Sequence, residues 1–254
     1  GSERISGIME RLGMEEDEPI EHALVTRAIE TAQKRVEAHN FDIRKHVLEY
    51  DDVMNQQRKV IYEQRKKVLS GEALKEDIRD MIEELVDGIV DIHTEEKGYS
   101  EEWDWEGLRD SLFKQFSIHY DPSGGSREGL TREAAREELL NAALNAYKKK
   151  EDELGSEIMR QMEKYLMLQS IDGHWKDHLL SMDHLKEGIG LRGYGQKDPL
   201  IEYKREGYDM FMDMVFRVKE DVVEKLFRVQ LAREEEVPEI VEMRRPQKFI
   251  MSRG

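Results

Sequence analysis

The sequence predicts an all-α protein: one very long helix, a small helical subdomain and an antiparallel two-helix hairpin. Apolar residues recur at steps of three and four through almost every stretch free of Gly and Pro. Charged residues make up 38% and prolines number only five, in a mixture rich in Glu, Lys, Leu, Arg and Ala that favours long solvated helices. The remaining signal is punctuation, because Gly and Pro cluster at Gly71, at 121–126 and at 188–199.

The first 19 residues are mixed, and Glu18-Pro19 predicts a helix start, since Pro at the first helical position loses no needed N–H. From there Val25, Ile29, Ala32, Val36, His39, Ile43, Val47, Tyr50 and Met54 form one apolar stripe, uninterrupted until Gly71. A helix over 20–69 would be about 70 Å long, a strut on which several other modules lean. The alternative is a coiled-coil seam for a second copy.

Glu72 to Gly107 holds 14 acidic and three basic side chains, so this block is expected to face water and offers a surface for basic partners. Leu74, Ile78, Met81, Ile82, Leu85, Val86, Ile89 and Ile92 nevertheless keep helical spacing within it. Trp103, Trp105, Leu108, Leu112, Phe113 and Phe116 predict a small aromatic core. After the loop Asp121-Pro-Ser-Gly-Gly-Ser126, Thr131 caps a helix with Ala135, Leu139, Ala142, Ala143 and Ala146 inward. Residues 70–155 thus read as one subdomain.

Residues 156–232 read as two helical halves. Ile158, Met162, Tyr165, Leu168, Ile171, Trp175, Leu179, Met182 and Leu185 mark the inner face of the first half. Gly188, Gly190, Gly193 and Gly195 end it, and Asp198-Pro199 restarts a helix with an N-cap followed by Pro. Tyr203, Tyr208, Phe211, Met212, Val215, Val218, Val222, Leu226 and Val229 mark the second half. A short Gly-rich turn between two such helices makes a hairpin. Residues 233–254 read as a flexible linker.

Composition narrows function. The 254 residues leave room for one large domain or two ordinary ones. The net charge of -16 argues against wrapping nucleic acid. The absence of Cys excludes disulfides, thiolate metal sites and cysteine nucleophiles. No apolar run is long enough to span a membrane and no signal-peptide pattern opens the sequence. Gly1-Ser2 without an initiator Met suggests a piece of something larger.

Catalytic motifs fail on context. Gly188-Ile-Gly190-Leu-Arg-Gly193 spells G-x-G-x-x-G, but a long helix rather than a strand precedes it. His174 and His178 have metal-ligand spacing, with His184 nearby, yet Trp175 stands where a metalloprotease needs Glu. Asp51-Asp52 are adjacent and point about 100° apart on a helix, so solvated or capping roles fit them better than acid–base work. No nucleophile elbow or phosphate loop occurs, so no catalytic residue, cofactor site or metal site is expected. The hairpin tip stands out instead: Arg192, Lys197, Lys204 and Arg205 make it locally basic, and Tyr194 sits between two glycines. Tyr194 reads as an exposed contact residue, the alternative being that it folds back on the hairpin.

Asn40 to Arg58, reading NFDIRKHVLEYDDVMNQQR, and Leu191 to Pro199, reading LRGYGQKDP, with Glu202-Tyr-Lys-Arg-Glu206, closely resemble the SecA family, the bacterial ATPases that drive preproteins through the SecY channel. The resemblance covers Arg4 to about Val229 and implies an all-α C-terminal half. Residues 1–19 would end a nucleotide-binding domain, 20–69 form the long helix of the helical scaffold, 70–155 the helical wing and 156–232 the two-helix finger. It implies that Tyr194 contacts the moving polypeptide, with Arg192, Gly193, Gly195, Gln196 and Lys197 completing the loop; many relatives carry Ala at the place of Gly195. Implied partners are the SecY channel complex, unfolded preprotein and the nucleotide-binding domains of the same parent, with a homodimer left open. ATP and Mg would bind elsewhere in the parent, which would work in the cytoplasm, peripherally at the inner face of the plasma membrane. The family's phosphate loop and its cysteine–histidine zinc motif have no counterpart in these residues. A free-standing helical adaptor that only binds proteins is the competing reading.

Overall fold

A computed structural model describes Gly7 and residues 23–94, 99–121, 129–196 and 198–229. The expected helix start at Pro19, the loop at 122–126, Lys197, all of the segment 1–19 but Gly7, and all of 233–254 lie outside the described residues. The described residues form six α-helices and no strand, an all-α fold. They are α1 (Ala23–Ser70), α2 (Leu74–His93), α3 (Trp105–Phe116), α4 (Arg132–Leu154), α5 (Ser156–Ile189) and α6 (Pro199–Arg228). Short 3₁₀ turns occur at Ser100–Glu102 and Gly190–Gly195. The chain divides into two compact units, Gly1–Val60 with Met182–Asp209, and Ile61–Ser181 with Met210–Gly254.

The second unit contains most of the buried apolar residues. Gly71 (φ +78°) and Ala73 (φ +56°) take left-handed backbone to turn the chain from α1 into α2. Leu74, Ile78, Ile82, Leu85, Val86 and Val90 then face inward, and α2 packs on both α3 and α4. Each such side chain, fully buried, stabilises the fold by about 1.5–3 kcal/mol relative to exposure. Asp104 opens α3 by accepting the Gly107 N–H at 3.0 Å, and Thr131 opens α4 by accepting from Ala134 at 3.2 Å. His93, the last residue of α2, ties this corner together: its Nδ1 lies 2.9 Å from Asp104 and its Nε2 2.8 Å from the Ser111 hydroxyl. Gly107 makes room for both partners, since a Cβ there would collide first with Asp104 Oδ2 and come within 2.6 Å of His93 Cε1.

Several expectations need correction here. Ile92 is 77% exposed at the end of α2, and Phe113 is half exposed, stacked on His119 at 4.7 Å rather than joining the aromatic core. The acidic block is not simply solvated, because Arg136 bonds Glu83 and Asp87, Arg132 pairs with Asp91, Lys219 with Glu84 and Lys67 with Asp77. On α5, Ile158 and Tyr165 point outward, and the buried positions of its first half are Met159, Glu163, Leu166, Met167, Ser170 and Ile171, whereas the expected Trp175 and Met182 further on are buried. On α6, Met212 and Tyr208 are exposed while Met214 and Val223 are buried.

Glu163 explains the displaced face of α5. Fully buried, it accepts the Tyr147 hydroxyl at 2.6 Å and an Arg160 N–H at 2.7 Å. Arg160 also reaches Glu151 at 3.2 Å, and Lys75 bonds Glu151 at 2.7 Å. A polar side chain at a core position breaks the apolar periodicity that the sequence would otherwise show.

In the first unit, α1 from residue 26 to 48 is exposed throughout, so the stripe through Ile29, Val36, Ile43 and Val47 lies open. Packing sets in at Tyr50, whose ring meets that of Tyr203 edge-on at 4.9 Å. Further along, buried Gln57 donates from Nε2 to the Gly207 carbonyl at 2.9 Å.

Candidate functional site at the hairpin tip

Ile189, 3% exposed, anchors the end of α5, and the chain then leaves helical geometry through the 3₁₀ turn Gly190–Gly195. Gln196 follows in the left-handed region at φ +59°, a conformation that costs a non-glycine residue energy and reverses the chain sharply. Asp198 restarts the helix: its carboxylate accepts the Leu200 N–H at 2.8 Å, with Pro199 at the first helical position. The local sequence thus builds a two-sided stop, glycines that release α5 and an Asp-Pro pair that nucleates α6.

Leu191 is 70% exposed at this tip and Arg192 is exposed beside it. Backbone placement puts Gly193, Tyr194 and Gly195 within the 3₁₀ turn. Lys197 lies outside the described residues.

The expected basic character of the tip is offset at two of its four cations. Arg192 pairs with Glu206 at 3.1 Å and Arg205 with Glu202 at 2.6 Å, and Glu202 is itself buried. Sequence reasoning counted the cations and passed over the two glutamates, three and fourteen positions away on the helical face that meets them. Below the tip, Lys186 bonds Asp51 at 3.2 Å and lies 6.0 Å from the Tyr50 ring. Burial, reinforced by nearby Asp183 and Asp51, holds the Tyr203 hydroxyl above its ordinary pKa. Gly207 lets α5 approach α6, since a Cβ there would meet Met182 Cε at 2.7 Å. Every one of these contacts supports or shapes the turn; none brings a nucleophile beside a base.

The histidine pair is placed otherwise. His178 is buried, stacked on Trp175 at 5.6 Å and edge-on to Phe211 at 5.7 Å, and burial lowers its pKa. His174 lies 3.7 Å from Asp221, and His184 pairs with Glu187. Asp51 is held by Lys186, and Asp52 accepts from Gln56 at 2.8 Å. Among the described residues no group of three or more His, Asp or Glu side chains is placed to hold a metal ion. No described helix is long and apolar enough to cross a membrane.

Fold and tip together define an all-α scaffold module carrying a glycine-rich helical hairpin. The SecA Wing and Scaffold domain model matches residues 19–230. The chain is 56% identical over its whole length to the Protein translocase subunit SecA of Syntrophus aciditrophicus, of which it covers 30%. It is 52% identical over 94% of its length to that of Syntrophobacter fumaroxidans and 51% identical over all of it to that of Geotalea uraniireducens, covering 28% of each. The chain belongs to the SecA wing and scaffold family. It spans about a third of the length of the curated relatives it matches.

Proposed function

We propose that this chain is the scaffold, wing and finger part of a protein-translocating motor. In this reading the nucleotide-binding domains of the same longer protein hydrolyse ATP with Mg. Residues 20–69 carry their movement, 70–155 form the wing, and the hairpin of 156–232 delivers the stroke. Residues 1–19 end the second of those motor domains, and 233–254 link onward. The tip, Arg192 to Lys197, enters the cytoplasmic mouth of the SecY channel at the inner face of the plasma membrane, and Tyr194 grips unfolded preprotein.

The observation that carries the reading is the family match across 19–230 to proteins named as translocase subunits. The tip chemistry supports it. A turn built of glycine backbone beside one aromatic residue gives contact without side-chain selectivity, which suits a site that handles many sequences. The pairing of Arg192 and Arg205 with glutamates lowers the positive charge that would otherwise favour acidic segments.

The test is Tyr194→Ala in the full-length parent, scored by preprotein transport into SecY-containing vesicles and by basal ATP hydrolysis. Transport should fall about tenfold or more, the order of a lost positioning contact, with basal hydrolysis little changed. Transport equal to the wild type would overturn the tip assignment.

A further inference from the structure

The second unit holds a pocket that the transport reading does not use. It opens between the end of α1, the first half of α2, α5 and α6, and offers about 210 Å³. Ile61, Val68, Met167, Ile171, Met214 and Val218, all buried, make its floor. Close-packed interiors leave few voids larger than a water molecule, and an apolar floor gives water no partners. Methionine thioethers at such a floor adapt to ligands of varied outline.

The rim is charged. Lys67 bonds Asp77 at 2.5 Å, and Lys219 pairs with Glu84. Asp80 also lines the pocket, between those two acids at steps of three and four on α2, and so on the same face. It is exposed and forms no salt bridge among the described residues. The rim therefore carries three carboxylates against two ammonium groups, and Asp80, although it lies in the field of Lys67, has no ion pair of its own among the described residues.

We propose that this pocket is a binding site for a small amphipathic cation, an alkyl- or arylammonium whose apolar body fills the floor while its ammonium pairs with Asp80. Charge complementarity selects the cation, since an anion would meet Asp80 and the excess of acid around it. Size selects a small molecule: an apolar cavity of about 150 Å³ takes a benzene ring, so this space, about 210 Å³, takes a ligand only somewhat larger. Occupancy bridges four helices and so stabilises the second unit by mass action.

The test uses the 254-residue chain labelled with ¹³C at its methionine methyls, titrated in turn with hexylammonium, hexanol and hexanoate. Hexylammonium should shift the Met81, Met167 and Met214 methyls selectively and saturably, with Kd about 1 mM, as expected for a ligand of this size. Hexanol should bind roughly fivefold more weakly and hexanoate more weakly still. Asp80→Asn, at an exposed position, should erase the advantage of the ammonium while leaving hexanol binding as it was. Val215→Phe, at the pocket wall, should abolish all three responses.

Shifts spread evenly over the other methionines, no saturation up to about 10 mM, or a head-group order unchanged by Asp80→Asn would each overturn the proposal. Displacement of hexylammonium by micromolar concentrations of a short basic apolar peptide would instead assign the pocket to a polypeptide segment and overturn it as a small-molecule site.

Discussion

Glu163 is the residue whose environment departs furthest from its chemistry. Burial raises its pKa, while the Tyr147 hydroxyl and Arg160 pull it back down. Glu163→Ala should cost about 3 kcal/mol, because Arg160 and Tyr147 lose a shared acceptor in the interior. Glu163→Gln keeps that acceptor and should cost no more than about 1 kcal/mol; urea unfolding of both variants measures the difference. A carboxyl raised in the fold contributes stability that is present at low pH and lost as pH rises through its folded value. The wild type should therefore lose ground to Glu163→Gln as pH increases.

His178 has the opposite linkage. Burial lowers its pKa from the ordinary value of 6.5, so its neutral form supports the fold above that value and support is lost as pH falls below it. Comparing melting points of the wild type and His178→Gln from pH about 7.5 down to about 5.5 should show the steeper decline in the wild type. Gly107→Ala should destabilise by about 1–3 kcal/mol by pushing on the Asp104 carboxylate and the His93 ring together, and His93→Ala should relieve only part of that cost, because the carboxylate is the nearer neighbour. The settings of Glu163 and Gly107 were not legible in the sequence. Glu163 looks like any helical Glu until the tyrosine opposite is known, and Gly107 reads as a weak point in a helix rather than a seat for an imidazole.

At the scale of elements the sequence was informative wherever apolar spacing and caps agreed. The ends of α4 and α6 were marked by Thr131 and by Asp198-Pro199, and both oxygens accept the expected N–H groups. Asp198→Ala should fray the first turn of α6 at a cost of about 1 kcal/mol, seen as faster amide exchange from Leu200 to Tyr203. Faces were read less well than extents. On α6 the expected Tyr203, Phe211, Val218, Val222 and Leu226 are buried, and on α5 so are Ile171, Trp175 and Met182. The misses are Ile158, Tyr165, Tyr208 and Met212, while Glu163, Ser170, His178 and Glu202 occupy inward positions that a hydrophobic count skips. On α1 the stripe is real, but residues 26–48 carry no buried side chain, whereas Ile61 and Val68 are 2% exposed. Hydrogen exchange should therefore be at least about a hundredfold faster over 26–48 than over 61–70; equal protection would mean that something covers the first stretch in solution.

For the molecule as a whole, two uninterrupted blocks of sequence were enough to place the chain in its family, and the helical class followed from periodicity alone. What the sequence could not give was charge in three dimensions. Residue counts suggested a strongly acidic block over Glu72 to Gly107 and a basic tip at Arg192, Lys197, Lys204 and Arg205. In the fold, arginines and lysines distant in sequence sit on the acids of α2, and glutamates sit on the arginines of the tip. The cluster of Tyr147, Glu163 and Arg160 has a further consequence for how α4 and α5 meet. Leu, Ile, Val and Met side chains alone would pack acceptably in more than one alignment, because hydrophobic contact is non-directional. Sliding α5 by one turn, about 5.4 Å, would carry the Glu163 carboxylate off its tyrosine and strand it among methyl groups. That single acid makes the neighbouring alignments of the bundle costly, and so acts as a keyed joint that admits one seating of the two helices.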